Sequence, residues 1–212
     1  MEINNSYELN PQQWTPEEKA LFARFPIPYQ TFLRAHNGGF VDPDQCNFLT
    51  HIGREFEGQT YYNSEGTLDE WWAFLSYKNE TPAPDKCPSI LHEHYGRHLA
   101  EQFLPDGVIA IGRCIQNSLI CLSLNQHDFG AIYYWEWYWQ YPWYQAFFNR
   151  RIEQAKDAFA DIEVVLNDPD HPQYQTAVDQ LNYATIVKVA DSFPEFVQGL
   201  FGIDSDEDDD RV

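Results

Sequence analysis

Apolar residues recur at two different periods along this chain, and the changes between them divide it into helical and extended stretches. The first helical stretch opens on "TPEE". Thr15 can cap, Pro16 suits the first helical position, and Glu18 completes a capping box. This helix is predicted to run to about Phe25, where Pro26 and Pro28 interrupt it. A second begins at Pro28 and sets Tyr29, Phe32, Leu33 and His36 on one face. It closes at "HNGG", where Asn37 or Gly38 takes the left-handed conformation. Residues 46–63 predict short strands with turns. "TLDEWWAFL" predicts a helix capped by Thr67 with Glu70 and burying Leu68, Trp71, Trp72 and Leu75. After the proline-rich "NETPAPDKCP", Ser89 is placed to cap a helix over "ILHEHYGRHLAEQF".

From Gly107 the period shortens. "VIAIG", "SLICLSL" and "GAIYYWEWYW" are three β-rich runs separated by turn-formers, and they predict consecutive strands of a meander. Beyond Pro142, Phe148, Ile152, Ala155, Phe159 and Ile162 return to helical steps. Residues 167–184 form a polar connection with room for a short helix. "TIVKVA" predicts a strand, and "DSFPEFVQGLF" a closing helix boxed by Ser192 and Glu195. Asp204 to Asp210 is a block of like charge that cannot pack, so 204–212 is expected to be a disordered acidic tail on a single domain, 1–203. Strands bunched as a meander among helices predict an α+β fold: a central, mostly antiparallel sheet with helices packed against it.

Charge narrows the partners. With 13 basic against 33 acidic residues the formal net charge is −20. That excess disfavours nucleic acid and anionic membrane surfaces and favours basic partners. Cys46, Cys87, Cys114 and Cys121 show no CxxC pairing. No apolar run reaches transmembrane length, and "MEINNSYELN" has neither a basic nor an apolar leader region. Reduced core thiols in a cytoplasmic protein are the expectation.

Four segments carry a resemblance. "IPYQTFLRAHNGGF" (27–40), "LPDGVIAIGRCIQNSLICLSL" (104–124), "GAIYYWEW" (130–137) and "VADSFPEFVQGLF" (189–201) resemble, in order, motifs of the SUKH superfamily. These are the Smi/Knr-type cell-wall regulators and bacterial toxin-immunity proteins. The chain departs from the pattern at three places. Trp137 follows Glu136 where a second acid or histidine is usual, "RCIQNS" (113–118) replaces a glycine-rich turn, and 138–184 is longer than the usual connection, as an insertion would be. The resemblance implies a sheet-and-helix fold without catalytic activity. It also implies a protein-binding role: an immunity protein neutralising a cognate basic toxin domain, many such toxins being nucleases, or a regulatory scaffold.

Candidate chemistry beyond the resemblance is thin. In "HEHYGRH" His94 and His98 lie one helical turn apart with Glu101 near the same face, but the HExxH offset is absent and Gly96 weakens the helix. A solvated helix face is the plainer reading. No GxSxG elbow, phosphate loop or cofactor motif is present. A glycosidase needs two acids across a cleft, and only Glu136, flanked by aromatics, stands out.

The aromatic run "YYWEWYWQYPWY" (133–144) holds nine aromatics in twelve residues and four of the chain's seven tryptophans. Read as one strand, it puts Tyr133, Trp135, Trp137 and Trp139 on a buried face, with Glu136 facing out. Its continuation through Pro142 into a turn exceeds what a strand needs. Glu136, Trp137, Tyr138, Trp139, Tyr141, Trp143 and Tyr144 are therefore the candidate partner-binding residues, Trp and Tyr being common at binding hot spots. Stacking of a carbohydrate on the same tryptophans is the competing use.

Overall fold

The computed structural model describes residues 3–4, 9–42, 45–56, 59–61, 65–68, 73–78, 89–92 and 103–202. The N-terminal helices are built as their caps predict. In α1 (Pro16–Arg24) Thr15 Oγ1 accepts from Glu18 N and Glu18 Oε2 accepts from Thr15 N, so the capping box is complete. Glu18 also meets Lys78 Nζ at 2.9 Å. Helix α2 (Ile27–Ala35) turns Tyr29 and Leu33 fully inward. It ends in three successive positive φ values, at Asn37, Gly38 and Gly39.

The NGG turn then does long-range work. Asn37 is buried, and its Oδ1 accepts from Tyr77 N at 2.7 Å. Gly39 exchanges backbone hydrogen bonds with Phe74. Residues 73–76 are therefore extended, not helical. On its other side Phe74 bridges Gly112, Leu75 N donates to Ile111 O, and Arg113 N donates to Ala73 O. At the front of this segment, Glu65–Thr67 is a strand and Leu68 bridges Cys114. The helix expected over 67–75 is thus corrected at both described ends. Backbone pairing with two distant segments outweighs a local capping signal whose glutamate, Glu70, lies outside the described residues with Trp71 and Trp72.

The main sheet comprises β7 (Val108–Arg113), β8 (Leu119–Ser123), β9 (Ile132–Trp135) and β10 (Ile186–Ala190), in the order β10-β9-β8-β7 and antiparallel throughout. The register pairs Cys121 with Tyr133 and Ile120 with Tyr134. The β7–β8 turn uses Gln116 and Asn117 in the left-handed region where glycine is commoner. Two-stranded pairs complete the extended structure: β1 (Ile3–Asn4) with β2 (Phe40–Val41), β3 (Asn47–Leu49) with β6 (Glu65–Thr67), and β4 (Arg54–Phe56) with β5 (Gln59–Tyr61). The Phe48 ring lies over Gly66, where a Cβ would come within 2.4 Å of it.

Beyond the short helix α3 (Ile90–His92), the helices follow β9. They are α4 (Pro142–Lys156), α5 (Ile162–Leu166) and α6 (Tyr174–Ala184) before β10, and α7 (Phe193–Gln198) after it. The polar connection of 167–184 thus contains a helix of 11 residues. At α7, Ser192 Oγ accepts from Glu195 N, but Glu195 Oε2 accepts from Asp191 N, one residue earlier than a capping box requires.

The sheet is covered on both faces. Tyr133 reaches Tyr183 of α6, whereas Tyr134 packs on Phe48, which packs on Phe196 of α7. Every residue of β8 and β9 is consequently buried, which explains why their sequences read as continuous apolar runs and not as alternations. Beneath the sheet, Phe25, Tyr29, Phe32, Phe74, Tyr77 and Phe193 form an aromatic core with ring centroids 4.8–6.0 Å apart. Cys46, Cys114 and Cys121 are buried thiols outside any disulfide, and burial raises the pKa of Cys121.

Candidate functional site

The aromatic run divides at Glu136. Strand β9 stops at Trp135, and 137–140 is a turn leading to Tyr141, the N-cap of α4, with Pro142 at the first helical position. Trp137 and Trp139 therefore do not continue a sheet face, contrary to the alternation expected from the sequence. Three backbone bonds shape this corner: Trp139 N to Glu136 O, Tyr141 N to Tyr138 O, and Tyr144 N to Tyr141 O, at 3.2, 2.8 and 2.9 Å.

Glu136 is the hinge of that corner, and it is buried, where the sequence had it facing out. Its Oε1 accepts from Ser118 Oγ at 3.2 Å and from Tyr138 N at 3.0 Å; its Oε2 accepts from Tyr134 Oη at 2.7 Å. Ser118 Oγ in turn accepts from Trp137 N at 3.1 Å. Three donors on one carboxylate provide the compensation that a buried acid requires. Burial first, with the Glu136 charge behind it, pushes the Tyr134 phenol upward in pKa, so it stays a donor. Glu136 thus organises the corner from within and offers a partner no surface.

The other candidates separate by exposure. Trp137, Tyr141 and Trp143 are the exposed ones, at 39%, 45% and 41%. Along the corner they make an aromatic ridge of two ring groups: Trp137 stands edge-on to Trp135 at 5.5 Å, and Tyr141 lies beside Trp143 at 5.2 Å with Tyr138 edge-on to Tyr141 at 4.7 Å. Tyr138 and Trp139 are half-buried against the core, Trp139 packing on Phe148. Tyr144 is buried at 7% and is withdrawn from the surface set. Trp135, stacked on Phe103 at 4.5 Å, anchors the ridge to the core. Ile115, in the turn closed by Ser118, is a further exposed apolar side chain at this end of the sheet.

A polar cluster occupies the opposite end. Asp128, in the β8–β9 turn, accepts from Ser123 Oγ, from Tyr133 Oη at 2.7 Å and from Tyr183 Oη at 3.2 Å. Asn125 Nδ2 donates to Tyr183 Oη, and Asp179 Oδ1 accepts from Asp106 N at 2.7 Å. Burial first, then the bond to Asp128 and its charge, raises the pKa of Tyr133. Composition alone gave no signal for this cluster, because its members come from three separate segments.

His94, His98 and Glu101 lie outside the described residues, as do Cys87 and 204–212. Among the described residues no group of three His, Cys, Asp or Glu side chains gathers as a metal-holding set. No helix among them is long and apolar enough to cross a membrane.

The chain matches the SMI1 / KNR4 family (SUKH-1) across residues 8–199. Neither curated proteins nor solved structures gave a match. The matched span takes in the NGG turn, the meander, the aromatic corner and α7, so the match does not rest on one motif. This chain belongs to the SMI1 / KNR4 family (SUKH-1).

Proposed function

We propose that this chain is a non-catalytic, cytoplasmic protein-binding domain of the immunity type, which blocks a basic toxin domain by occluding it. The observation that carries the reading is the exposed ridge of Trp137, Tyr141 and Trp143 on a chain of net charge −20. Acidic side chains raise the encounter rate with a basic partner and select it. Rigid aromatics then hold the complex by burying apolar area at small entropic cost. Family membership supports the same class of role.

Binding is tested against any secreted protein with a small basic C-terminal domain that is found encoded beside this gene, using Trp137→Ala and Trp143→Ala. A hot-spot tryptophan contributes about 2 kcal/mol or more, so each variant should weaken binding by roughly 30-fold or more. Wild-type affinity in both variants removes the ridge from the interface. A partner that binds but has no toxic activity moves the reading to a regulatory scaffold. Tryptophan quenching by oligosaccharides, with no protein partner, would replace it by carbohydrate binding.

A further inference from the structure

Between α4 and α6 a pocket of about 480 Å³ opens to solvent. Ala155 and Ala158 form its apolar wall, Asp179, Gln180 and Tyr183 face them from α6, and His127 of the β8–β9 turn stands at the rim. Asp179 uses Oδ1 to hold Asp106 N, while Oδ2 receives no hydrogen bond among the described residues. Two cations near in sequence, Arg151 and Lys156, are committed elsewhere. Arg151 donates to the carbonyls of Tyr183, Ala184 and Ile186, and Lys156 pairs with Glu153. From 157 to 180 the chain carries Asp157, Asp161, Glu163, Asp168, Asp170 and Asp179, with no Lys or Arg. Asp179 is the acid that lines the pocket, and the stretch that builds its far wall carries an excess of negative charge. Burial raises the pKa of the Asp179 carboxyl, and the charges of Asp106 and Asp128 add to it, against the Asp106 N–H and His127.

We propose that this pocket receives an arginine side chain of the basic partner, with its guanidinium on Asp179 and its stem along Ala155 and Ala158. The inference rests on the proposed protein-binding role and adds a second, charge-reading contact remote from the aromatic ridge. A guanidinium suits the site better than an ammonium for three reasons. It is weakly hydrated, so entry into a half-closed slot costs less; its planar fork matches a carboxylate edge; and it stacks on an aromatic face such as Tyr183. The aliphatic stem covers the alanine wall while the charge stays at the acid.

The probe is N-acetyl-arginine amide titrated into the full chain, followed by backbone NMR shifts, with N-acetyl-citrulline amide as the uncharged isostere. Saturable shifts at His127, Ala155, Thr176 and Tyr183 are expected with arginine. Asp179→Asn, which keeps an acceptor for Asp106 N–H, should weaken them at least about tenfold. Ala155→Phe should abolish them by filling the slot, with the sheet resonances confirming that the variant is folded. Equal response to arginine and citrulline, no shift up to about 50 mM arginine amide, or unchanged binding in Asp179→Asn overturns the proposal. No toxin enters this titration, so it can fail while the aromatic ridge stands, and the ridge can fail while the pocket binds.

Discussion

Replacing Glu136 with alanine removes the acceptor for three buried or half-buried donors at once: Ser118 Oγ, Tyr138 N and Tyr134 Oη. Each donor left unsatisfied costs about 1–3 kcal/mol. The two hydroxyls can rotate and the vacated space can admit water, so the sum falls below three independent penalties, at roughly 3–5 kcal/mol. For a chain of this length that lowers the melting temperature by roughly 6–20 °C. Glu136→Gln is the informative partner variant. Its carbonyl can take the Oε1 position with both of its donors, and its amide can face Tyr134 Oη, which turns to accept. Only the charge-assisted part is lost, about 1 kcal/mol or 2–4 °C. Thermal and urea unfolding of the two variants, followed by circular dichroism, measures the difference. Partner binding by the folded Gln variant should match wild type, because the carboxylate faces inward. Equal stability of the Ala and Gln variants would refute the view that this carboxylate organises the corner; lost binding in a stable Gln variant would return Glu136 to the interface.

Two further outcomes follow from the core. Gly112→Ala brings a Cβ to 2.5 Å from the carbonyl oxygen of Ala73, where 73–76 lies along β7. Overpacking of this kind costs about 1–3 kcal/mol, read as a lower urea midpoint at unchanged slope; a neutral result would mean that the segment yields freely. The phenols of Tyr133, Tyr134 and Tyr183 have pKa values raised above the ordinary value of 10.0. The folded state therefore holds these protons more tightly than the unfolded one. Their contribution is complete below pH 10 and is lost as the pH climbs above it. Absorbance at 295 nm should show these tyrosines ionising later than the exposed ones, together with alkaline unfolding, and Tyr134→Phe should remove part of that pH dependence. A single tyrosine titration centred on the ordinary value would contradict the burial of all three.

Local chemistry was readable where no distant segment competed with it. Thr15, Pro16 and Glu18 start α1 as written, since the donors they satisfy are their own neighbours'. The NGG turn, the meander, the α4 start at Pro142 and the family were legible for the same reason: each rests on period, turn residues or motif order. The tertiary structure decided the rest. "TLDEWWAFL" has the signature of a helix, yet its described ends are extended, because Gly39 and Gly112 offer Phe74 backbone partners on both sides. No window of sequence contains those three residues together. Strand alternation places Glu136 outward; Ser118, eighteen residues away, and Tyr134 make its burial affordable. The same corner ends β9 at Trp135 and turns the surplus aromatics outward, which leaves Trp137, Tyr141 and Trp143 at the surface and takes Tyr144 into the core. Composition determined that this protein would be aromatic-rich and acidic. Which aromatics reach solvent, and which acid faces a pocket, depends on contacts between segments that only folding brings together.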